Sequence, residues 1–147
     1  MSDLDILLRL AVALLLGGSI GFERRWRGHD AGPHAVALVA TGAALFVLSG
    51  IELGGDASQR VLAQVATGIG FLAGGVILRD GLHVRGLNTA ATIWCVAAVG
   101  CITGLGRMMM AFELTVLLIV ANSFFHVLEH RMKRIAEDDQ SIKESNK

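Results

Sequence analysis

The sequence predicts an all-α, multi-pass membrane bundle of five helices, and three observations carry that prediction. Apolar residues make up 53% of the 147-residue chain, with 18 glycines against one proline and no tyrosine, a balance foreign to soluble domains. These residues gather into five runs, roughly Leu4 to Phe22, His34 to Leu53, Val61 to Leu78, Leu87 to Leu105 and Met108 to Phe125. Each is about the 17–25 residues a helix needs to cross a bilayer. Between Ala35 and Ile51 there is no charged residue on any face, whereas a soluble helix of that length would show a polar stripe.

The elements follow in order. Run one is preceded by Asp3 and Asp5 rather than by lysines, and no small-residue cleavage site follows, so it is expected to stay in the mature chain. Arg24, Arg25 and Arg27 separate runs one and two, Arg79 and Arg85 separate three and four, and Arg131, Lys133, Arg134, Lys143 and Lys147 follow run five. The alternate connections hold only Arg60 and Arg107. The positive-inside rule then predicts five crossings, the N-terminus outside and the C-terminus in the cytoplasm. Residues 1–128 read as one five-helix membrane domain and 129–147 as a short charged cytoplasmic tail whose composition predicts disorder. Cys95 and Cys101 lie six apart within run four, on different helical faces, and read as small apolar packing residues rather than a disulfide or metal pair.

Small residues set the helix contacts. Gly68, Gly70 and Ala73 fit the G-x-G-x-x-A dinucleotide fingerprint, but that pattern works between a strand and a helix of a soluble unit, not inside a membrane span. Ala66, Gly70 and Gly74 instead recur every fourth residue as a smooth stripe where another backbone can approach. Gly17 and Gly21 repeat the device in run one, and Ala40 and Ala44 in run two. A stripe facing a neighbour in the same chain and one facing a second chain are identical in sequence, so self-association stays open.

Charge sits at the connections. Arg79 to Gly86 must form a short turn signalled by Asp80-Gly81, after which Asn88 or Thr89 is placed to cap run four. The other connection on that side holds Glu23 to Asp30, so Glu23, Arg24, Asp80, Arg85 and Asn88 form a polar rim that reads as a partner or ion site. The bland reading is ordinary positive-inside flanking. Magnesium needs only one or two carboxylates, and Glu23, Asp30 and Asp80 are candidates. Five arginines in the same two loops oppose a divalent cation and better suit an anion, a phosphorylated headgroup or an acidic partner surface. Within the runs, Arg9, Gln64 and Glu113 enter from the same predicted outer face at similar shallow depth. Asp5, one turn before Arg9, is its simplest partner; pairing of Arg9 with Glu113, with Gln64 nearby, would fix helix one beside helix five. The centre holds only Ser19, Thr41, Thr67 and Thr92, without the ionisable group that pumps place there. His126, Glu129 and His130 spell H-x-x-E-H, but two histidines lack the third ligand of a catalytic zinc. No cofactor and no bound metal is expected.

Four stretches carry a resemblance to a known family: GFERRWR (Gly21 to Arg27), Ala31-Gly32 followed by ALVATGAALF (Ala37 to Phe46), GIGFLAGGVILRDG (Gly68 to Gly81) and VRGLNTAATIWC (Val84 to Cys95). Together they resemble the MgtC/SapB family of bacterial inner-membrane proteins. That resemblance implies a five-helix membrane domain, here without the ACT-like soluble domain of the longer members. It also implies a role in adaptation to magnesium limitation and in survival inside host phagocytes, in some members through contact with the membrane ATP synthase. Two positions depart from the family's usual pattern. Pro33, His34 and Ala35 stand where Leu-Arg-Thr is common, and His83 stands where Asn is frequent. His34 and His83 would make the rim responsive to mildly acidic cytoplasm; two solvated surface histidines are the plain alternative.

The expected function is therefore that of a non-enzymatic inner-membrane regulator. It lies in the lipid bilayer, binds another membrane protein or itself, and has no nucleic-acid partner. The alternative is an oligomeric channel or transporter for magnesium or another cation, and a zinc peptidase is a remote third.

Overall fold

The computed structural model describes residues 1–28, 32–80 and 83–145, with side chains described throughout those ranges except at 80, 83, 129–130 and 133–145. Five helices appear, α1 (Asp3–Trp26), α2 (Pro33–Leu53), α3 (Ala57–Gly75), α4 (Leu87–Gly104) and α5 (Met108–Ser145), with a two-stranded ladder, β1 (Leu78–Asp80) and β2 (His83–Arg85), between α3 and α4. The protein is an all-helical, multi-pass membrane protein. Four of its helices, α1, α2, α4 and residues Met108–Leu128 of α5, are long and apolar enough to cross a bilayer.

The helix ends follow from local chemistry. Ser2 caps α1 by accepting from the Asp5 N–H at 3.3 Å. Asp3 and Asp5 in the first turn and Arg24 and Arg25 in the last complement the helix dipole. Pro33 opens α2 at a position where its missing N–H is no loss. At the end of α4, Gly106 adopts a left-handed φ of 81°, and the Gly106 and Arg107 N–H groups return to the carbonyls of Thr103 and Ile102.

Small residues let α1, α2 and α4 approach backbone to backbone. A methyl group on Gly17 would lie 2.7 Å from the Ala40 Cβ, and one on Gly21 would lie 2.6 Å from the Pro33 Cα. From the other side, a methyl group on Gly100 would fall 2.1 Å from the Ala40 carbonyl oxygen and one on Gly104 2.8 Å from that of Ala44. Ala40, fully buried, is thus pressed by glycines of two helices. The buried hydroxyls of Thr103 and Thr115 donate to the carbonyls of Val99 and Ala111, each four residues back, so no polar group is stranded there. A second cluster joins α2 to α4 through Ala43, Val47, Ala97 and Cys101, and α3 leans on it with Leu62, Val65 and Ile69.

Two expectations change. The third apolar run was placed at Val61 to Leu78, but α3 begins at Ala57 and stops at Gly75. The helix thereby gains Ser58, Gln59 and Arg60, and α3 is not among the helices apolar enough to cross a bilayer. The connection expected as a short turn is a ladder with Leu78 opposite Arg85, Arg79 opposite Val84 and Asp80 opposite His83; the Gly81 of the turn signal lies outside the described residues. α5 is helical to Ser145, consistent with the Glu, Lys, Arg and Gln content of residues 129–145. By internal contacts, residues 1–115 form one compact unit and 116–147 a second.

Candidate functional site

The polar end of the first unit is organised by one side chain. Arg24, on the last turn of α1, is 1% exposed and ranks among the largest fully buried side chains of the protein. Its Nη1 donates to the Thr92 hydroxyl at 2.8 Å and its Nη2 to the Thr89 hydroxyl at 2.8 Å. Thr89 and Thr92 lie three apart, on one face of the first turns of α4. The Thr92 hydroxyl can accept this bond because it spends its own proton on the Asn88 carbonyl at 2.9 Å. Capping works differently from the expectation, since Gly86 occupies the N-cap and no side chain caps α4. Asn88 and Thr89 lie inside the helix, and Thr89 serves Arg24 instead.

Glu23 stands beside this cluster, largely withdrawn from solvent and ion-paired with Arg27 one turn on. The pairing is one of charge rather than direction: neither Glu23 carboxylate oxygen, nor the Arg24 Nε, has a hydrogen-bond partner. A guanidinium held by two neutral hydroxyls keeps its charge largely uncompensated by direct bonding, which makes this end of the bundle electropositive. Arg25 and Arg85 are exposed there. Gly86 ties the ladder down, for at φ 85° its would-be methyl group falls 2.0 Å from the Val76 carbonyl oxygen at the end of α3. The structure therefore brings Glu23, Arg24, Asn88 and the backbone of Arg85 to one end. Asp80 sits in β1 and His83 in β2, with side chains outside the described set; His34, second residue of α2, is exposed, and Asp30 lies outside the described residues.

The opposite end has its own arginine. Arg9 forms an ion pair with Asp5 at 2.9 Å and donates from Nη1 to the Gly104 carbonyl at 2.9 Å. A cation on the last carbonyls of α4 is favoured by the helix dipole. The pairing expected between Arg9 and Glu113 is not made, and both Glu113 and Gln64 are exposed. Equal depth does not make two residues neighbours, and Asp5 and Gly104 were within reach. Arg9 and Arg24, about 22 Å apart along α1 at 1.5 Å per residue, grip the two ends of α4.

Among the described residues no group of three His, Cys, Asp or Glu side chains is placed to hold a metal ion. Of the H-x-x-E-H residues, His126 is half-buried, while the side chains of Glu129 and His130 lie outside the described set. Four residues have roles here that the sequence reading does not assign them, Thr89 being expected as a cap and Thr92 as a hydroxyl of the membrane centre. Thr89 and Thr92 carry no signal beyond their spacing opposite a loop arginine. Gly100 and Gly104, by contrast, spell G-x-x-x-G in plain view.

Comparison with known proteins places this geometry. The sequence model of the MgtC family matches residues 10–131. Protein MgtC of Salmonella typhimurium strain LT2 is 46% identical over 129 residues, covering 88% of this chain and 56% of the relative. Protein MgtC of Brucella abortus strain 2308 is 51% identical over 120 residues, covering 81% and 50%. An uncharacterized protein of Synechocystis is 53% identical over 119 residues, covering 80% and 51%. The chain spans about half the length of these relatives. No solved structure matches it.

Proposed function

This chain belongs to the MgtC family, and we propose that it acts as an MgtC-like regulator of the bacterial inner membrane. It works without catalysis, by binding other membrane proteins, the ATP synthase among them, in adaptation to magnesium limitation or in intracellular survival. Lys and Arg counts put the N-terminus outside and the polar end in the cytoplasm, where Asp80, Arg85 and Asn88 meet the partner over a base held in place by the buried Arg24 and by Glu23. One observation carries this reading. The helices of the central trio touch backbone to backbone at Gly17, Ala40 and Gly100, which leaves no conduit between them, while their polar side chains converge on a rigid platform at the end. Such a platform suits an acidic or phosphorylated surface more than a hydrated divalent cation.

The test is flux. Purified protein, folded in vesicles, is expected to pass no magnesium, proton or potassium. A photo-crosslinker at Arg85 is expected to capture a discrete membrane protein in whole cells. Flux that falls in Asp80→Asn would overturn the proposal, turn the rim into an ion entrance and favour the oligomeric channel.

A further inference from the structure

A groove runs along the seam of α2 and α3. Near the connecting loop the two helices are in contact, since a methyl group on Gly50 would lie 3.1 Å from the Ser58 Cα and 3.2 Å from Val61. Farther along they part, and a methyl group on Gly42 of α2 or on Gly68 of α3 would meet nothing within 4 Å. The space between them consists of two adjoining hollows of about 360 and 410 Å³, which share Phe46, Val65 and Gly68. Leu38, Gly42 and Phe46 form one wall, and Val65, Gly68 and Leu72 the other. The lining turns polar only at the loop end, with Arg60 and Gln64, both exposed.

Length limits what can fill this groove. From Arg60 to Leu72 it follows α3 for about 18 Å, at 1.5 Å per residue. A membrane-spanning helix would need about 30 Å, the full hydrocarbon thickness, whereas one leaflet takes about half of that. The groove is therefore the length of one acyl chain. Its chemistry is ordered along the same axis. Leu72, Gly68, Gln64, Arg60 and Asp56 follow at intervals of four residues, a slowly turning row with about 6 Å between steps. Read toward the loop, an apolar wall gives way to an amide, then a cation, then the exposed carboxylate of Asp56 at the N-cap. A phospholipid presents its groups in the same order: acyl chain, ester carbonyl, phosphate and, in phosphatidylethanolamine, an ammonium.

We propose that the α2–α3 groove is a binding site for one phosphatidylethanolamine molecule, with its acyl chain between Phe46 and Gly68, its phosphate on Arg60 and its ammonium on Asp56. The guanidinium offers the phosphate a charge-assisted, bidentate contact. The Gln64 amide, which hydrocarbon alone would leave without a partner, donates to the ester carbonyl. Charge selects the headgroup, because Glu52 at the end of α2 is exposed like Asp56, and a headgroup with no positive charge would leave both carboxylates facing an anion. The site is separate from the end held by Arg24 and stands whatever that end binds.

The experiment is photolabelling in vesicles. The purified chain is reconstituted with a trace of phosphatidylethanolamine carrying a diazirine in its acyl chain, and the labelled residues are located by mass spectrometry. Label is expected around Gly42, Phe46 and Gly68, above the level at Leu8 and Leu15, which are exposed on α1 and open to any lipid. Gly68→Leu should fill the groove and bring its label down to the α1 level, where a single added methyl group would leave it open. Gly42→Leu, from the opposite wall, gives the same reading if Gly68→Leu disturbs folding. Arg60→Gln should lower the excess over α1 about tenfold, the worth of one charge-assisted hydrogen bond, and phosphatidylglycerol with the same diazirine should label the groove less than phosphatidylethanolamine does. The proposal is overturned if the groove and α1 label alike, if the folded leucine variants keep the label, or if phosphatidylglycerol labels the groove as strongly.

Discussion

Gly17 on α1 and Gly70 on α3 belong to small-residue stripes that look the same in the sequence, and the structure puts them to opposite uses. Around Gly17 there is no room for a methyl group, because Ala40 and the α2 backbone occupy the space. Around Gly70 there is nothing within 4 Å. The first stripe is consumed inside the chain and the second is left over. The difference lies in what the neighbouring helix offers, since α2 presents Val36, Ala37 and Ala40 to α1, while the outer side of α3 meets no helix of its own unit. A G-x-x-x-G pattern therefore specifies close approach without specifying the chain that approaches.

The sharpest way to break this contrast is Gly100→Ala. Its new methyl group would sit 2.1 Å from the Ala40 carbonyl oxygen, a backbone atom that cannot swing aside. Forced separation of α2 and α4 should destabilise the fold by about 3 kcal/mol or more, the upper part of the usual overpacking range. Thermal unfolding in detergent reads this directly, and an unchanged transition would mean that the trio is looser than its geometry.

Arg24→Leu comes next. It removes two charge-assisted hydrogen bonds and leaves the Thr89 hydroxyl without its donor, for an expected loss of about 2–3 kcal/mol. Arg24→Lys should recover only a small part, since one ammonium cannot span two hydroxyls as a planar fork does. Thr89→Val and Thr92→Val should each cost about 1 kcal/mol, and their effects should vanish in the Arg24→Leu background. Full additivity there would dissociate the threonines from the arginine.

At the other end, Arg9→Leu should cost less, about 1 kcal/mol, because its guanidinium keeps some solvent and its carboxylate partner is one turn away. Reversing the charges of Arg9 and Glu113 together should give no rescue. Rescue would restore the helix-one to helix-five pairing that the depth argument suggested.

These cases show what sequence could and could not supply. The five helices were legible because hydropathy needs no partner: each apolar run declares itself. The third run misled, because the start of α3 is fixed by backbone helicity through Ser58, Gln59 and Arg60, which hydropathy counts as loop. The ladder from Leu78 to Arg85 escaped because three-residue strands show no alternation to read. At the candidate site, Glu23 and Arg24 were legible as loop charges, yet the residues that hold Arg24 were not, since Thr89 and Thr92 acquire meaning only once α1 lies against α4. Arg9 was given the wrong far partner for the same reason: depth is a one-dimensional quantity and adjacency is not. Gly100 and Gly104 are legible in the sequence, their spacing being the same as that of Gly17 and Gly21.

The smallest effect closes the contrast from its other side. Gly68 lies in α3 with open space where a methyl group would go, and it sits off the outward row of Gln64, Gly70 and Gly74. Gly68→Ala should therefore leave packing alone and act through backbone freedom. An alanine costs less entropy than glycine to hold in a helix, so the fold should gain about 0.5–1 kcal/mol. The same glycine-to-alanine change would thus be damaging at residue 100 and mildly stabilising at residue 68, a reversal of sign that helix propensity alone cannot produce. Thermal unfolding of the two variants side by side checks it. If Gly68→Ala destabilised by as much as Gly100→Ala, something would occupy the open side of α3 closely enough to exclude a methyl group.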